Sequence, residues 1–287
     1  MAPLAALVAP PLRALGGRRS CAAVLDFATA GQHLAGAATA PARTALAAVP
    51  VDVLAATAAA AGATAWLGVW TAMAGRVGAP ASRKIIHIGS GPLFVAMWPF
   101  FTAAPGARFA AAAVPCLSLV RLALAGTRAG ARSAGQRDLV ATISRSGKKE
   151  EALGGPFYYT LVLLAATLGC WRESVVGLCA VAQMCAGDGL ADIVGRRYGA
   201  SNRWPWSDEN KSAAGTAAFA CGAAAVNLAL IAWFARCGLV DVALAAAVPR
   251  VCAISALCAA IETVNLPGIN DNFSVPLLAA GLAWKLF

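Results

Sequence analysis

Long apolar stretches interrupted by short polar clusters dominate the chain. The apolar runs lie near 51–74, 86–104, 106–125, 153–171, 173–187, 212–235, 239–261 and 273–287. A helix that crosses a bilayer needs about 20 mostly apolar residues, each adding 1.5 Å. The pattern therefore predicts an all-α integral membrane protein, a bundle of about 7–8 transmembrane helices with short interfacial loops. Pro92 and Pro99 fall in the second run, which predicts a helix that is broken or begins late, because proline lacks the backbone donor. Only Trp171-Arg172-Glu173 separates the fourth run from the fifth, so the chain must turn tightly there.

With the runs numbered in order as spans, the connections 75–85, 126–152, 188–211 and 262–272 share one side of the membrane. They carry Arg76, Arg83, Lys84, Arg128, Arg132, Arg137, Arg145, Lys148, Lys149, Arg196, Arg197, Arg203 and Lys211. The other side receives short turns with Arg108, Arg172 and Arg236. Such asymmetry places the basic side toward stroma or cytosol. The conspicuous polar motifs all fall on that basic side, as a single active site at one membrane face requires.

Composition narrows the class. Hydrophobic residues make up 60% of the 287 and charged residues 13%, about half the share in a soluble domain. A water-soluble Ala-rich bundle would need a charged stripe at helical period, and none runs between Ser212 and Ala235. The formal charge of +10 would suggest nucleic acid on a soluble protein. Beside apolar spans it instead sets orientation and suits a phosphate-bearing substrate, and no nucleic-acid partner is expected. The nine cysteines form no Cys-x-x-Cys pair, so they read as small buried hydrophobes. Residues 1–48 carry Arg13, Arg18, Arg19 and Arg43 against one acid, Asp26, and no stretch long enough to span. This make-up predicts a cleavable chloroplast transit peptide, with a mitochondrial presequence as the alternative because serine is scarce. Residues 49–287 then form one polytopic domain.

Five motifs carry chemistry. In Gly187-Asp188-Gly-Leu-Ala-Asp192-Ile-Val-Gly-Arg196-Arg197, the two aspartates are i and i+4 on one helical face at the membrane interface. Like charges so placed repel unless a cation joins them. Mg²⁺ suits them, taking one or two carboxylates and completing its shell with water and phosphate oxygens. Arg196 and Arg197 follow within reach of phosphate; a local Asp–Arg pair at a helix end is the bland alternative. Lys211-Ser212-Ala-Ala-Gly215 opens a new apolar run, where helix N–H groups and a lysine together favour an anion. The frame of a Walker motif is missing. Arg145-Ser-Gly-Lys-Lys-Glu150-Glu151 ends a basic loop, and its acids also suit the first turn of a helix. Arg83-Lys84-Ile-Ile-His87-Ile-Gly-Ser90-Gly91 holds the one histidine beyond the leader, either structural or catalytic. Glu262-Thr-Val-Asn265-Leu-Pro267-Gly-Ile-Asn270-Asp271-Asn272 offers acids and amides for metal or hydroxyl contacts, or for helix capping.

This ordered set, from about Ser82 to Pro276, resembles the polyprenol kinase family, and most closely its plastid phytol kinases. The resemblance rests on Arg83-Lys84-x-x-His87-Ile-x-Ser90-Gly91, Glu150-Glu151-x-Leu-x-x-Gly-Pro156, Trp171-Arg172-Glu173-Ser, Gly187-Asp188-Gly-x-Ala-Asp192, Lys211-Ser212-x-Ala-Gly215 and Asp271-Asn272-x-x-Val-Pro276. The chain departs from the family at Ala213, where an aromatic is usual, and in the drawn-out Glu262-Thr-Val-Asn-Leu-Pro267. It also has Asn270 for the first aspartate of an Asp-Asp-Asn, which argues against Asn270 as a metal ligand.

The resemblance implies transfer of a γ-phosphoryl group from a nucleotide, typically CTP with UTP or ATP as alternatives, to a long isoprenoid alcohol. For phytol kinases the product, phytyl phosphate, feeds tocopherol synthesis. Asp188, Asp192, Lys211 and Glu262 are then the expected catalytic residues. Arg83, Lys84, Arg145, Arg196, Arg197 and Lys211 are expected on the nucleotide, and Asp188, Asp192 and Asp271 on Mg²⁺. His87, Glu150, Glu151 and Asn272 are expected nearby. Farnesol or geranylgeraniol kinase is the near alternative, and a polytopic transporter the distant one. A CDP-alcohol phosphotransferase fits poorly, because Asp192 stands where that chemistry's arginine would fall. The expected setting is a multi-pass chloroplast membrane protein whose partners are the bilayer, a prenyl alcohol and a nucleotide.

Overall fold

The computed structural model describes residues 40–127, 134–144, 148–207, 211–264 and 271–287. Arg145, Asn265, Pro267, Asn270 and most of the expected leader lie outside them. The described chain is helical, as its apolar runs dictate: α1 (Ala40–Val77), α2 (Ala79–Ala96), α3 (Ala107–Ala125), a short α4 (Ala134–Ile143) and α5 (Gly155–Gly169). There follow α6 (Val175–Ala182), a π-turn (Gln183–Gly187), α7 (Asp188–Tyr198), α8 (Ala213–Arg236), α9 (Leu244–Glu262) and α10 (Asp271–Leu286).

Six helical segments among the described residues are long and apolar enough to cross a membrane, rather than seven or eight. The two runs that fall short have clear reasons. α10 has only 16 residues, and α2 places Arg83, Lys84 and His87 on its first turns. α2 bears out one half of the expectation from its prolines and corrects the other: the run is broken before Pro99, but the helix does not begin late. It begins early, at Ala79, with Pro80 in the first turn where a missing N–H costs nothing. It then runs through Pro92 and stops at Ala96, and Pro99 falls in a separate 3₁₀ turn, Trp98–Phe100. Carbonyls five and six residues before Pro92 receive side-chain donors: Trp66 Nε1 and Ser90 Oγ bond to Ile86 O, and Tyr159 OH to His87 O at 3.0 Å.

The segment Val175–Tyr198 is the axle of the bundle. Its apolar window is 78% buried, against 11–39% for the other five, so it is enclosed by protein while they face lipid. Leu178, Val181, Met184 and Cys185 on it pack with Trp98, Ile231, Phe234 and Val251 in the main core cluster. The turn before it is built as tightly as its spacing requires. Ser174 caps α6 by accepting from Val176 N at 3.2 Å. The buried Arg172 donates to Phe101 O and reaches Glu173 at 3.1 Å. This turn and its neighbours Trp98 and Phe101 lie at one end of the bundle; the acidic and basic motifs gather at the other.

Candidate functional site

The site begins with a change of helical pitch. A π-turn, Gln183–Gly187, widens the axle just before Asp188, and such insertions are frequent at functional sites. Two glycines seat the aspartate between neighbouring helices. A Cβ on Gly187 would lie 2.5 Å from the Phe219 ring, and one on Gly189 would lie 2.2 Å from Ile88. α8 and α2 can therefore close on either side of Asp188 only because these positions have no side chain.

Asp188 Oδ2 faces α2 across this contact, where Lys84 Nζ stands at 2.9 Å and His87 Nε2 at 3.2 Å. The same His87 nitrogen lies 3.1 Å from Met184 O, in the π-turn. Two acceptors at Nε2 mean that this nitrogen carries the proton. Tyr159 backs the imidazole, with ring centroids 4.5 Å apart.

Lys211 makes the second centre. It precedes α8, whose N-cap Ser212 accepts from Gly215 N at 3.2 Å. Its ammonium lies 2.5 Å from Glu262 at the end of α9 and 3.4 Å from Asp271 at the start of α10. Burial opposes charge on Lys211. The Glu262 carboxylate outweighs that cost, with Asp271 and Asp188 adding to it, and the ammonium pKa sits above the ordinary lysine range.

Both centres open on one cavity of about 1500 Å³, larger than the roughly 300–1,000 Å³ of a typical ligand pocket. Arg83, Lys84, His87, Glu151, Asp188, Asp192, Arg196, Lys211, Glu262, Asp271 and Asn272 all line it. Arg83 also donates to Ser144 O, beyond the last turn of α4. Two expected residues are not brought there. Glu150 is exposed and does not line the cavity, while Arg197 is exposed and engaged with Tyr198, at 2.9 Å to its hydroxyl. Arg121 and Arg203 line the cavity without having been singled out in the sequence. Arg121 carried a readable signal, being a charge inside the apolar run 106–125. Arg203 carried none, because a loop arginine between Asn202 and Trp204 looks like any solvated residue.

The expected metal ligands are not gathered into a cage. Asp188 and Asp192 are one turn apart, but Asp192 pairs locally with Arg196 at 2.8 Å while Asp188 faces α2. Among the described residues no three histidines, cysteines or acids lie close enough to hold a metal by themselves. The donors are nonetheless hard carboxylate oxygens on a shared cavity. That fits Mg²⁺, which takes one or two carboxylates and is otherwise held by water and substrate phosphate.

No family model matches the chain, and no solved structure matches it. Curated proteins do. A probable chloroplastic phytol kinase 1 of Glycine max is 39% identical over 207 residues, which are 72% of this chain and 67% of that protein. Phytol kinase 1 of Arabidopsis thaliana, also chloroplastic, is 35% identical over 72% of this chain and 66% of its own length. A chloroplastic farnesol kinase of the same plant is 32% identical over 71% of this chain and 65% of its own length. The matched region thus spans about two thirds of these relatives. With chloroplastic relatives and six membrane-length helices, the protein is a multi-pass chloroplast membrane protein. The helical bundle, the shared polar cavity and these identities agree: the chain belongs to the polyprenol kinase family of alcohol-accepting phosphotransferases.

Proposed function

We propose that this protein is a CTP-dependent phytol kinase whose product, phytyl phosphate, feeds tocopherol synthesis. The observation that carries the reading is the single cavity in which carboxylates and cations meet apolar helix faces. Such a site can hold a nucleotide and a lipid alcohol together. The relatives named as phytol kinases favour phytol as the alcohol. The farnesol kinase, at 32% identity, keeps farnesol or geranylgeraniol as the second reading. A transporter would need its acids along a path across the membrane. The described acids that line the cavity share one end of the bundle, which supports the kinase.

Phosphoryl transfer asks chiefly for positioning and charge neutralisation. Mg²⁺ bound at Asp188 and Asp192, with Asp271 nearby, would screen the triphosphate charge. Lys211, held by Glu262 and Asp271 at the mouth of α8, is placed to take phosphate oxygens. Arg83, Lys84 and Arg196 line the same cavity. As the alcohol oxygen bonds to the γ-phosphorus, the β,γ-bridging bond breaks and the nucleoside diphosphate leaves with its electron pair. The hydroxyl proton passes to a cavity carboxylate, Asp192 or Glu262. Residues 1–48 are proposed to be the transit peptide, removed on import.

The test is purified protein in detergent with labelled CTP, UTP or ATP and a panel of phytol, geranylgeraniol, farnesol, dolichol and diacylglycerol. Phytol phosphorylated fastest with CTP supports the reading. Failure to phosphorylate any alcohol sinks it.

A further inference from the structure

On α2 the cavity lining passes from charged to apolar with depth, and on α3 and α5 it also ends on apolar residues. On α2 its lining residues Lys84, His87, Ser90 and Phe94 follow the helical period, passing from charged to apolar. On α5 the sequence is Pro156, Tyr159, Thr160 and Leu163. α3 runs the other way and gives Leu122, Ser118, Pro115 and Val114 from the polar end inward. Each helix stops contributing at an apolar residue: Phe94, Leu163 and Val114.

Those three residues meet solid protein. Phe94 and Leu163 are buried members of the main core cluster, and Val114 packs against it. Trp98 stands one turn beyond Phe94, edge-on at 6.3 Å and with no exposed surface. On these three helices the apolar part therefore ends in packed protein rather than continuing through the bundle. From Lys84 to Phe94 is ten residues of α2, about 15 Å at 1.5 Å per residue.

We propose that Phe94, Val114 and Leu163 form the floor of the pocket for the alcohol's hydrocarbon tail and set the longest tail the enzyme accepts. The inference rests on the prenyl alcohol kinase reading above and adds the residues that determine chain length. The occupant follows from continuity: the pocket opens on the carboxylates and cations of the phosphoryl site, so its ligand carries a polar head and an apolar chain. A tail longer than the pocket must displace the Phe94–Trp98 packing or leave the hydroxyl short of the site.

The experiment compares kcat/KM for farnesol, geranylgeraniol and geranylfarnesol, prenols of three, four and five isoprene units, in wild type, Phe94→Leu and Val114→Phe. Phe94→Leu lowers the floor and should move the long-to-short ratio about tenfold or more toward geranylfarnesol. Val114→Phe raises it and should move the ratio by a similar factor toward farnesol, the range expected when a methylene-scale change alters an apolar pocket. Opposite shifts support the assignment. Ratios that stay at the wild-type value, or rates that fall equally for all three alcohols, overturn it. A wild-type protein that phosphorylates no prenol removes the substrate reading itself, and this control separates the two failures. Should either variant not fold, Leu163→Met supplies a volume-conserving reshaping of the same floor and must change the ratio.

Discussion

The pairing of Lys211 with Glu262 makes a prediction that can be worked from the structure. Glu262 is only 4% exposed, and the lysine ammonium lies 2.5 Å from it and 3.4 Å from Asp271. At an effective dielectric of about 20, these separations correspond to roughly 6–7 and 5 kcal/mol of attraction. Most of this offsets the cost of taking the charges out of water. Removing one partner is a different matter, because the other charge then stays buried without its counter-ion, at about 3–5 kcal/mol. Lys211→Met should therefore be strongly destabilising. At roughly 2–4 °C per kcal/mol for a chain of this size, Tm in detergent should fall by roughly 6–20 °C. Adding Glu262→Gln should recover much of that loss, since the stranded carboxylate is gone. Thermal unfolding followed by circular dichroism on the parent, both single variants and the double variant measures the coupling. A Lys211→Met Tm within about 2 °C of the parent, or single effects that add to within about 0.5 kcal/mol, would refute this account of the pair. Both outcomes would mean that the ammonium does not neutralise Glu262.

Other expectations follow from the same geometry. Asp188→Asn should lower alcohol phosphorylation by about 10²–10³ while leaving membrane extraction and helicity intact; turnover near the parent rate would contradict Asp188 as a catalytic carboxylate. Gly189→Ala places a methyl where Ile88 already sits, 2.2 Å away, and should cost about 1–3 kcal/mol. Ile88→Ala in that background should relieve it, as thermal melts would record. Arg196 is 56% exposed and pairs with Asp192 within one helix, so Arg196→Ala should change stability by less than about 0.5 kcal/mol. Any larger loss in kcat/KM then reports a substrate contact. Because the Lys211 pKa is raised, its contribution to stability is complete below about pH 10 and fades only as pH climbs through the higher folded-state value. The Tm difference between parent and Lys211→Met should thus be flat from about pH 7 to 9; a decline over that window would place the ammonium pKa lower.

Much of the architecture was legible in the residues. A run such as Ser212–Ala235, without a charged stripe, has no water-soluble helical solution, and α8 lies there. The turn at Arg172 followed from the shortness of Trp171-Arg172-Glu173, and the structure shows what holds it: a buried guanidinium bonded to Phe101 O. α2 was read less well. The prolines suggested a broken or late-starting helix; the run is broken before Pro99, but the helix begins at Ala79 because Pro80 is harmless in a first turn. Its carbonyls near Pro92 find donors on Trp66 and Tyr159, from other helices. No local pattern reports donors that arrive from elsewhere in the chain.

The candidate site divides in the same way. Spacing alone placed Asp188 and Asp192 on one face and made a local Asp192–Arg196 pair available, because i and i+4 residues are neighbours on any α-helix. Tertiary structure decided that Asp188 pairs instead with Lys84, 104 positions away, and that Lys211 is shared between Glu262 and Asp271. It also left Glu150 and Arg197 off the cavity lining and brought Arg121 and Arg203 to it. Periodicity determines which residues share a helix face, and composition determines that such faces lie in a membrane. Which faces meet depends on packing between helices far apart in sequence, set here by the small residues Gly187 and Gly189 that let α2 and α8 close around Asp188.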